Sequence, residues 1–155
     1  MNEGETTEPP GLDRQVRYRI YQHFVARAGA PAAVEIAREL GVSQATVVAS
    51  LHRLADQRNL VLAPGSNTIW MAHPFSATPT AFPVRTRDRL YWANCAWDAL
   101  GIPALLGLDS EITTMCGDCG DSIFLRVSAG ELEEAESVVH FLVPPKQFWE
   151  NVGFT

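Results

Sequence analysis

Hydrophobic positions recur at helical intervals in the first sixty residues and alternate with polar ones after residue 109. In LDRQVRYRIYQHFVARAG, Val16, Ile20, Phe24 and Val25 fall at helical spacing, and Gly29 is expected to end the helix. APAAVEIARELG follows, with Pro31 near a helix start and Gly41 at its end. Ser43 then stands as an N-cap before QATVVASLHRLADQRNL, whose apolar stripe is Val47, Leu51 and Leu54. LVLAP and TIWMA, on either side of Gly65-Ser66-Asn67, have the character of two short strands. Three helices and a hairpin predict a winged-helix-like module over residues 12–72.

The pattern then changes. Residues 73–89, HPFSATPTAFPVRTRDR, carry three prolines and predict a connector, with SATPTAFPV as an edge strand or extended linker. RLYWANCAWDALGI predicts a helix broken at Pro103. DSEITTMCGDCGDSIFLRVSAGEL predicts strand, tight turn and strand: Ile112 and Thr114 lie on the first, and Ile123, Leu125 and Val127 alternate along the second. ELEEAE is expected as a short acidic helix or turn, SVVHFLVP as a strand, and PKQFWENVGFT as a helix start. The fold class is therefore α+β, with the helical module followed by a small mixed α/β domain over residues 90–155. Residues 1–11, MNEGETTEPPG, are expected to be a disordered lead-in.

Composition narrows the function. With 46% hydrophobic and 19% charged residues, the chain has the make-up of a globular protein. The net charge of −6 argues against a general nucleic-acid binder, which presents a basic face. Residues 1–60 carry seven charges of each sign, and the hairpin has no Lys or Arg. If the third helix did enter DNA, it would offer Ser43, Gln44, Thr46 and His52 to bases, with Arg53 and Arg58 for phosphates. DNA is nonetheless not expected as a partner, because phosphate contacts dominate such affinity. From residue 90 onward two basic residues, Arg126 and Lys146, face ten acidic ones. There is no apolar run of membrane length and no basic, apolar leader, so a cytoplasmic location is the expectation. Three cysteines in such a chain suggest free thiols or metal ligands rather than a disulfide framework.

Two places carry chemistry. Cys95 and Asp98 are three residues apart, neighbours on a helix face. A carboxylate beside a thiol can take or return its proton, but its charge also raises the thiol's pKa. The pair therefore suits a site where sulfur takes a soft electrophile such as a metal ion and the carboxyl moves a proton. A buried Cys beside a surface Asp is the plain alternative. The second place is CGDCGD, residues 116–121. Cys116 and Cys119, each followed by glycine, have the spacing of a metal knuckle, and zinc is an option there. Cys95 and His140 are the remaining candidates for a four-ligand site. A redox dithiol and a glycine-rich turn are the alternatives. Trp92, Trp97, Phe141, Phe148 and Trp149 could wall an apolar pocket or simply form core.

RLYWANCAWDALGIPALLG resembles the central motif of the alkylmercury (organomercurial) lyases, an aromatic-rich helix with Cys-x-x-Asp followed by Pro-Ala-Leu-Leu-Gly. The resemblance continues through EITTMCGDCGDSIFLRVSAG to SVVHFLVPP, and the helical half is similar to the winged-helix-like domain that precedes the catalytic one in that family. It implies protonolysis of a carbon–mercury bond without a cofactor, giving a hydrocarbon and mercury(II) held as a substrate-derived ligand. Cys95 matches the first metal-binding cysteine, Asp98 the proton-handling aspartate, and Cys116 a further cysteine of structural character. Cys119 has no counterpart in the pattern. An organomercurial and a thiol reductant for product release are the implied partners.

The family's second catalytic cysteine is expected just past Thr155. A short homologue without lyase activity, a truncated form, or a UGA codon read as stop where selenocysteine is inserted would each account for this, and the last two together are the expectation. The 155-residue chain is accordingly expected to bind mercury through Cys95 and to cleave poorly. The competing expectation is a non-enzymatic metal-binding protein or metal-responsive winged-helix regulator, holding zinc or copper(I) at Cys95, Cys116, Cys119 and His140.

Overall fold

The computed structural model describes residues 11–133 and 136–153. Residues 1–10, most of the expected lead-in, and part of ELEEAE lie outside the described residues. The chain divides into two compact units, Met1–Thr78 and Pro79–Thr155, in an α+β fold.

The first unit holds α1 (Leu12–Arg27), α2 (Ala33–Leu40) and α3 (Gln44–Asp56), then a three-stranded antiparallel sheet of β1 (Val61–Leu62), β2 (Ile69–Ala72) and β3 (Phe75–Ser76) in the order β1-β2-β3. Leu12, Val16, Ile20 and Phe24, spaced by four, form the buried face of α1. Val25 lies a further residue round the helix and is 40% exposed, contrary to its expected place in the stripe. The expected stripe of α3 is in place: Val47, Leu51 and Leu54 are buried. Burying each such side chain stabilises the unit by roughly 1.5–3 kcal/mol. α1 ends before Gly29: Ala28 takes the left-handed conformation at φ 56°, and its amide donates to the Phe24 carbonyl at 2.7 Å. Residues 73–89, expected as a connector, contain two strands. Phe75 on β3 is fully buried and stacks on Phe24 with ring centroids 5.2 Å apart.

One polar cluster ties α1 to α3. Asp13 Oδ1 accepts from the buried Ser50 hydroxyl at 2.6 Å and from Arg53 Nη2 at 2.6 Å, while Asp13 Oδ2 accepts from Arg53 Nε at 3.0 Å. The Arg53 guanidinium holds the Asp13 carboxyl below the ordinary carboxylate value of 3.8.

The second unit is a five-stranded antiparallel sheet, order β5-β4-β6-β7-β8, with one helix. Its elements are β4 (Pro83–Thr86), β5 (Leu90–Trp92), α4 (Ala96–Leu106), β6 (Ser110–Met115), β7 (Ser122–Ser128) and β8 (Glu131–Leu132), followed by a 3₁₀ helix at Pro145–Glu150. β4 lies between β5 and β6, so the proline-containing segment supplies an inner strand rather than an edge. Pro83 opens that strand, where a missing N–H is tolerated. The register pairs Val84 with Ile112 and Ile112 with Leu125, which puts these apolar residues on one face. Arg85, Glu111 and Arg126 pair across the other face, where Arg126 Nη2 donates to Glu111 Oε1 at 2.9 Å.

Two expected elements differ. RLYWANCAWDALGI is not one helix: Leu90–Trp92 is a strand, because Tyr91 buries its side chain while its backbone pairs with Val84. The helix begins only at Ala96 and runs through Pro103 to a left-handed cap at Gly107, φ 63°. SVVHFLVP forms no strand. Val138 is 88% and Leu142 73% exposed, and an apolar run without a neighbouring ladder has nothing to hold it extended.

The Asp13 cluster gives a stability prediction. Asp13→Ala leaves the Ser50 hydroxyl without this acceptor and is expected to cost about 1–3 kcal/mol, read by urea unfolding. Because the folded carboxyl titrates below its unfolded value, its contribution is complete above the ordinary value of 3.8 and fades as the pH falls below it. The variant should show a flatter acid limb than the parent; parallel limbs would refute the assignment.

Candidate functional site

The chemistry of the second unit gathers where β5 runs into α4. Ala93 is fully buried, and its amide donates to the Phe82 carbonyl at 3.0 Å, which fixes the chain leaving the sheet. Cys95 follows in extended conformation, φ −150°, as the N-cap of α4. Its Sγ accepts from the Asp98 amide at 3.5 Å, a long hydrogen bond of the kind sulfur makes. Cys-x-x-Asp is thus the spacing of an N-cap and the third helical residue, as in a capping box, with sulfur in place of a hydroxyl. Sequence spacing alone suggested two residues on a helix face. The structure puts the thiol just outside the helix and the acid in its first turn, where a negative charge is favoured.

Cys95 is half-buried. Burial pushes its thiol up, and the charge of the Asp98 carboxylate adds to this. The amides of Asp98 and Trp97 act in the opposite sense, but the net direction is upward. The setting therefore favours the protonated thiol.

Asn94 was missed by the motif reading. Its Nδ2 donates to Asp98 Oδ2 at 3.0 Å, which orients the carboxyl at the helix start. The signal available was its spacing of four from Asp98, just ahead of a cap position. Trp97, expected as pocket wall or core, is 65% exposed, while Phe141 and Phe148 pack together at 5.2 Å.

Cys116 and Cys119 lie in the turn joining β6 to β7, and His140 is exposed in the irregular segment that follows β8. Among the described residues, no three of His, Cys, Asp and Glu stand close enough to hold one metal ion. The four-ligand site offered by Cys95, Cys116, Cys119 and His140 is therefore not assembled among the described residues. At the other end of the sheet, a cavity of about 470 Å³ is lined by Arg85, Arg87, Asp109, Glu111 and Arg126 and does not include Cys95.

In the first unit, several of the side chains that could have read DNA are engaged internally. Ser43 Oγ accepts from the Thr46 amide at 3.1 Å, a ring nitrogen of His52 lies 2.7 Å from Asn67 Oδ1, and Arg53 is bound to Asp13.

A half-buried thiol capping a helix, with a hydrogen-bonded carboxyl in that helix's first turn, defines a thiol–acid site on an α+β frame. The comparisons with known proteins make the class particular. The family model described as MerB, alkylmercury lyase, matches residues 75–155, and the chain belongs to the alkylmercury lyase family. An alkylmercury lyase of Pseudomonas putida is 34% identical over 91 residues, covering 53% of this chain and 42% of that protein, so the chain spans less than half the length of this curated relative. Among solved structures, the mercury-bound form of MerB2 shares the fold, with a TM-score of 0.64 and 23% identity over 83% of this chain and 61% of that one.

The thiol's setting can be measured. Alkylation of Cys95 should rise with pH around a midpoint above the ordinary thiol value of 9.0. Asp98→Asn removes the charge that opposes the thiolate and should move the midpoint down. An unchanged or raised midpoint would show that the carboxyl does not act on the sulfur.

Proposed function

We propose that the chain takes part in protonolysis of carbon–mercury bonds, with Cys95 as the metal-binding thiol and Asp98 as the proton carrier. The observation that carries this reading is the Cys95 sulfur capping α4 and accepting from the Asp98 amide, with the Asp98 carboxyl in the same first turn, in a member of the alkylmercury lyase family. Mercury prefers thiolate by the softness argument that assigns soft metals to cysteine. As sulfur takes the metal of an R–Hg–X substrate, X⁻ leaves and the thiol proton passes to Asp98. The carboxylic acid then protonates the metal-bound carbon as the C–Hg bond breaks. The products are the hydrocarbon and Hg(II) on Cys95, and no electrons are transferred to or from the protein. Asn94 holds the carboxyl at the helix start through both steps.

A second sulfur donor would place more charge on the metal-bound carbon. In the family pattern a further cysteine supplies it, and the described residues put one thiol, Cys95, beside Asp98. We therefore propose that the 155-residue chain binds organomercurials and cleaves them slowly. A small thiol then serves both as second donor and as acceptor of the product. Reduced surroundings such as the cytoplasm suit this chemistry, and no helix among the described residues is long and apolar enough to cross a membrane.

The three helices and the β1–β2 hairpin support a winged-helix reading of residues 12–72, used as a packing module. The side chains spent internally and the net charge of −6 weigh against DNA reading there.

Methylmercury and headspace methane test the proposal. Methane should form slowly and faster with added monothiol, and Cys95→Ser should abolish it. Asp98→Asn should keep methylmercury bound but slow single-turnover release by about 10²-fold or more. Methane at the rate of a full-length family enzyme without added thiol would contradict the single-thiol reading. Release unaffected by Asp98→Asn would remove the proton-carrier role.

A further inference from the structure

The turn between β6 and β7 carries two free cysteines three residues apart, Cys116 and Cys119. The backbone closes this turn by itself. The Cys116 amide donates to the Asp121 carbonyl at 2.8 Å and the Gly120 amide to the Cys116 carbonyl at 3.0 Å, with Gly120 at φ 77°. A turn already closed by its own peptide groups has no structural need of thiols. With the Gly120 amide bonded to the Cys116 carbonyl, the turn brings residues 116 and 119 together, the spacing at which two sulfurs can share one cation. Cys119 is exposed and Cys116 half-buried, so the pair is open to solvent.

The ligand class follows from the donor count. A closed zinc site takes four ligands, and among the described residues no third candidate joins this pair. A soft cation that is content with two sulfurs needs no more than the turn provides. We propose that Cys116 and Cys119 form a second soft-metal site, separate from Cys95, which binds one thiophilic two-coordinate cation such as Hg(II) as a bis-thiolate. Each thiol loses its proton to solvent, two sulfur–metal bonds form, and the cation sheds two solution ligands. No electrons move.

The strand register places this turn with respect to Cys95. Trp92 pairs with Pro83, and Val84 with Ile112, so β5 and β6 both run toward the end of the sheet where β4 begins. The dithiol turn and Cys95 follow these two strands at that end. On the lyase reading, which this consequence alone depends on, Hg(II) leaving Cys95 has a chelating dithiol on the same chain.

The test uses the full chain with Cys95→Ser, which leaves this pair as its only thiols. The reduced protein is titrated with mercuric chloride in the presence of a monothiol, and bound metal is counted by native mass spectrometry and by sulfur-to-mercury absorption. One Hg(II) per chain is expected, with both thiols blocked to a maleimide. Adding Cys119→Ser should lower retention at least about tenfold, since it removes the millimolar effective concentration of the second sulfur. Circular dichroism of both variants checks that the fold is kept. Loss of Hg(II) to the monothiol from the Cys95→Ser chain would overturn the proposal. So would one metal shared by two chains, which would make the turn half of a four-sulfur site. The Cys95→Ser chain lacks the lyase thiol, so failure here leaves the lyase reading standing, and absence of methane leaves this site standing.

Discussion

Helix α4 starts on a sulfur atom, and the site depends on that arrangement. An N-cap must accept from the free amides of the first turn, and serine, threonine, aspartate or asparagine normally does so. Here Cys95 does it, with the Asp98 amide as donor. Sulfur is a weak acceptor, so the contact adds little to helix stability compared with an oxygen cap. What it provides is position: the thiol is held at the positive end of the helix, within reach of a carboxyl that the same turn fixes. The strand before it, anchored by buried Tyr91 and Ala93, sets where that helix can begin.

The pair shows two opposed influences on one thiol. Amides at the helix start favour the thiolate, while burial and the Asp98 charge favour the thiol, and the second group prevails. For a nucleophile that must attack unaided, this would be a poor arrangement. For a sulfur whose proton is needed later, retention of the proton is useful. On the proposed lyase reading, a soft metal displaces that proton far more readily than a carbon electrophile would, so the thiol can stay protonated at rest and still bind.

Legibility in the sequence varied with how local the cause was. Periodicity located α1 and α3 with most of their buried stripes, Val25 excepted, and the start and stop residues Pro31 and Gly41 located α2. The sulfur–acid pair was visible as Cys95 and Asp98, but its geometry was not. A spacing of three is shared by a helix face and by a cap with its third residue, and only the strand at Leu90–Trp92 decides between them. That strand was hidden because its pairing partner lies in a proline-rich stretch that looked like a linker. Asn94 was hidden for the same reason, since its role depends on where the helix begins. The reverse error occurred at SVVHFLVP, where a strand-like composition meets no ladder. Composition describes what a segment can bury, whereas a strand also needs a neighbour.

The longest ladder among the described residues, β6 with β7, pairs six residues on each strand from Ser110↔Val127 to Met115↔Ser122. A slip of one residue would turn Ile112 and Leu125 from the apolar face to the charged one. The tip of this hairpin carries the two neighbouring sulfurs, so a bridge between them would act as a clasp on the strand alignment. Occupancy at the tip would then be felt as stiffness through β6 into β4, a mechanical link between a surface turn and the inner strand of the sheet.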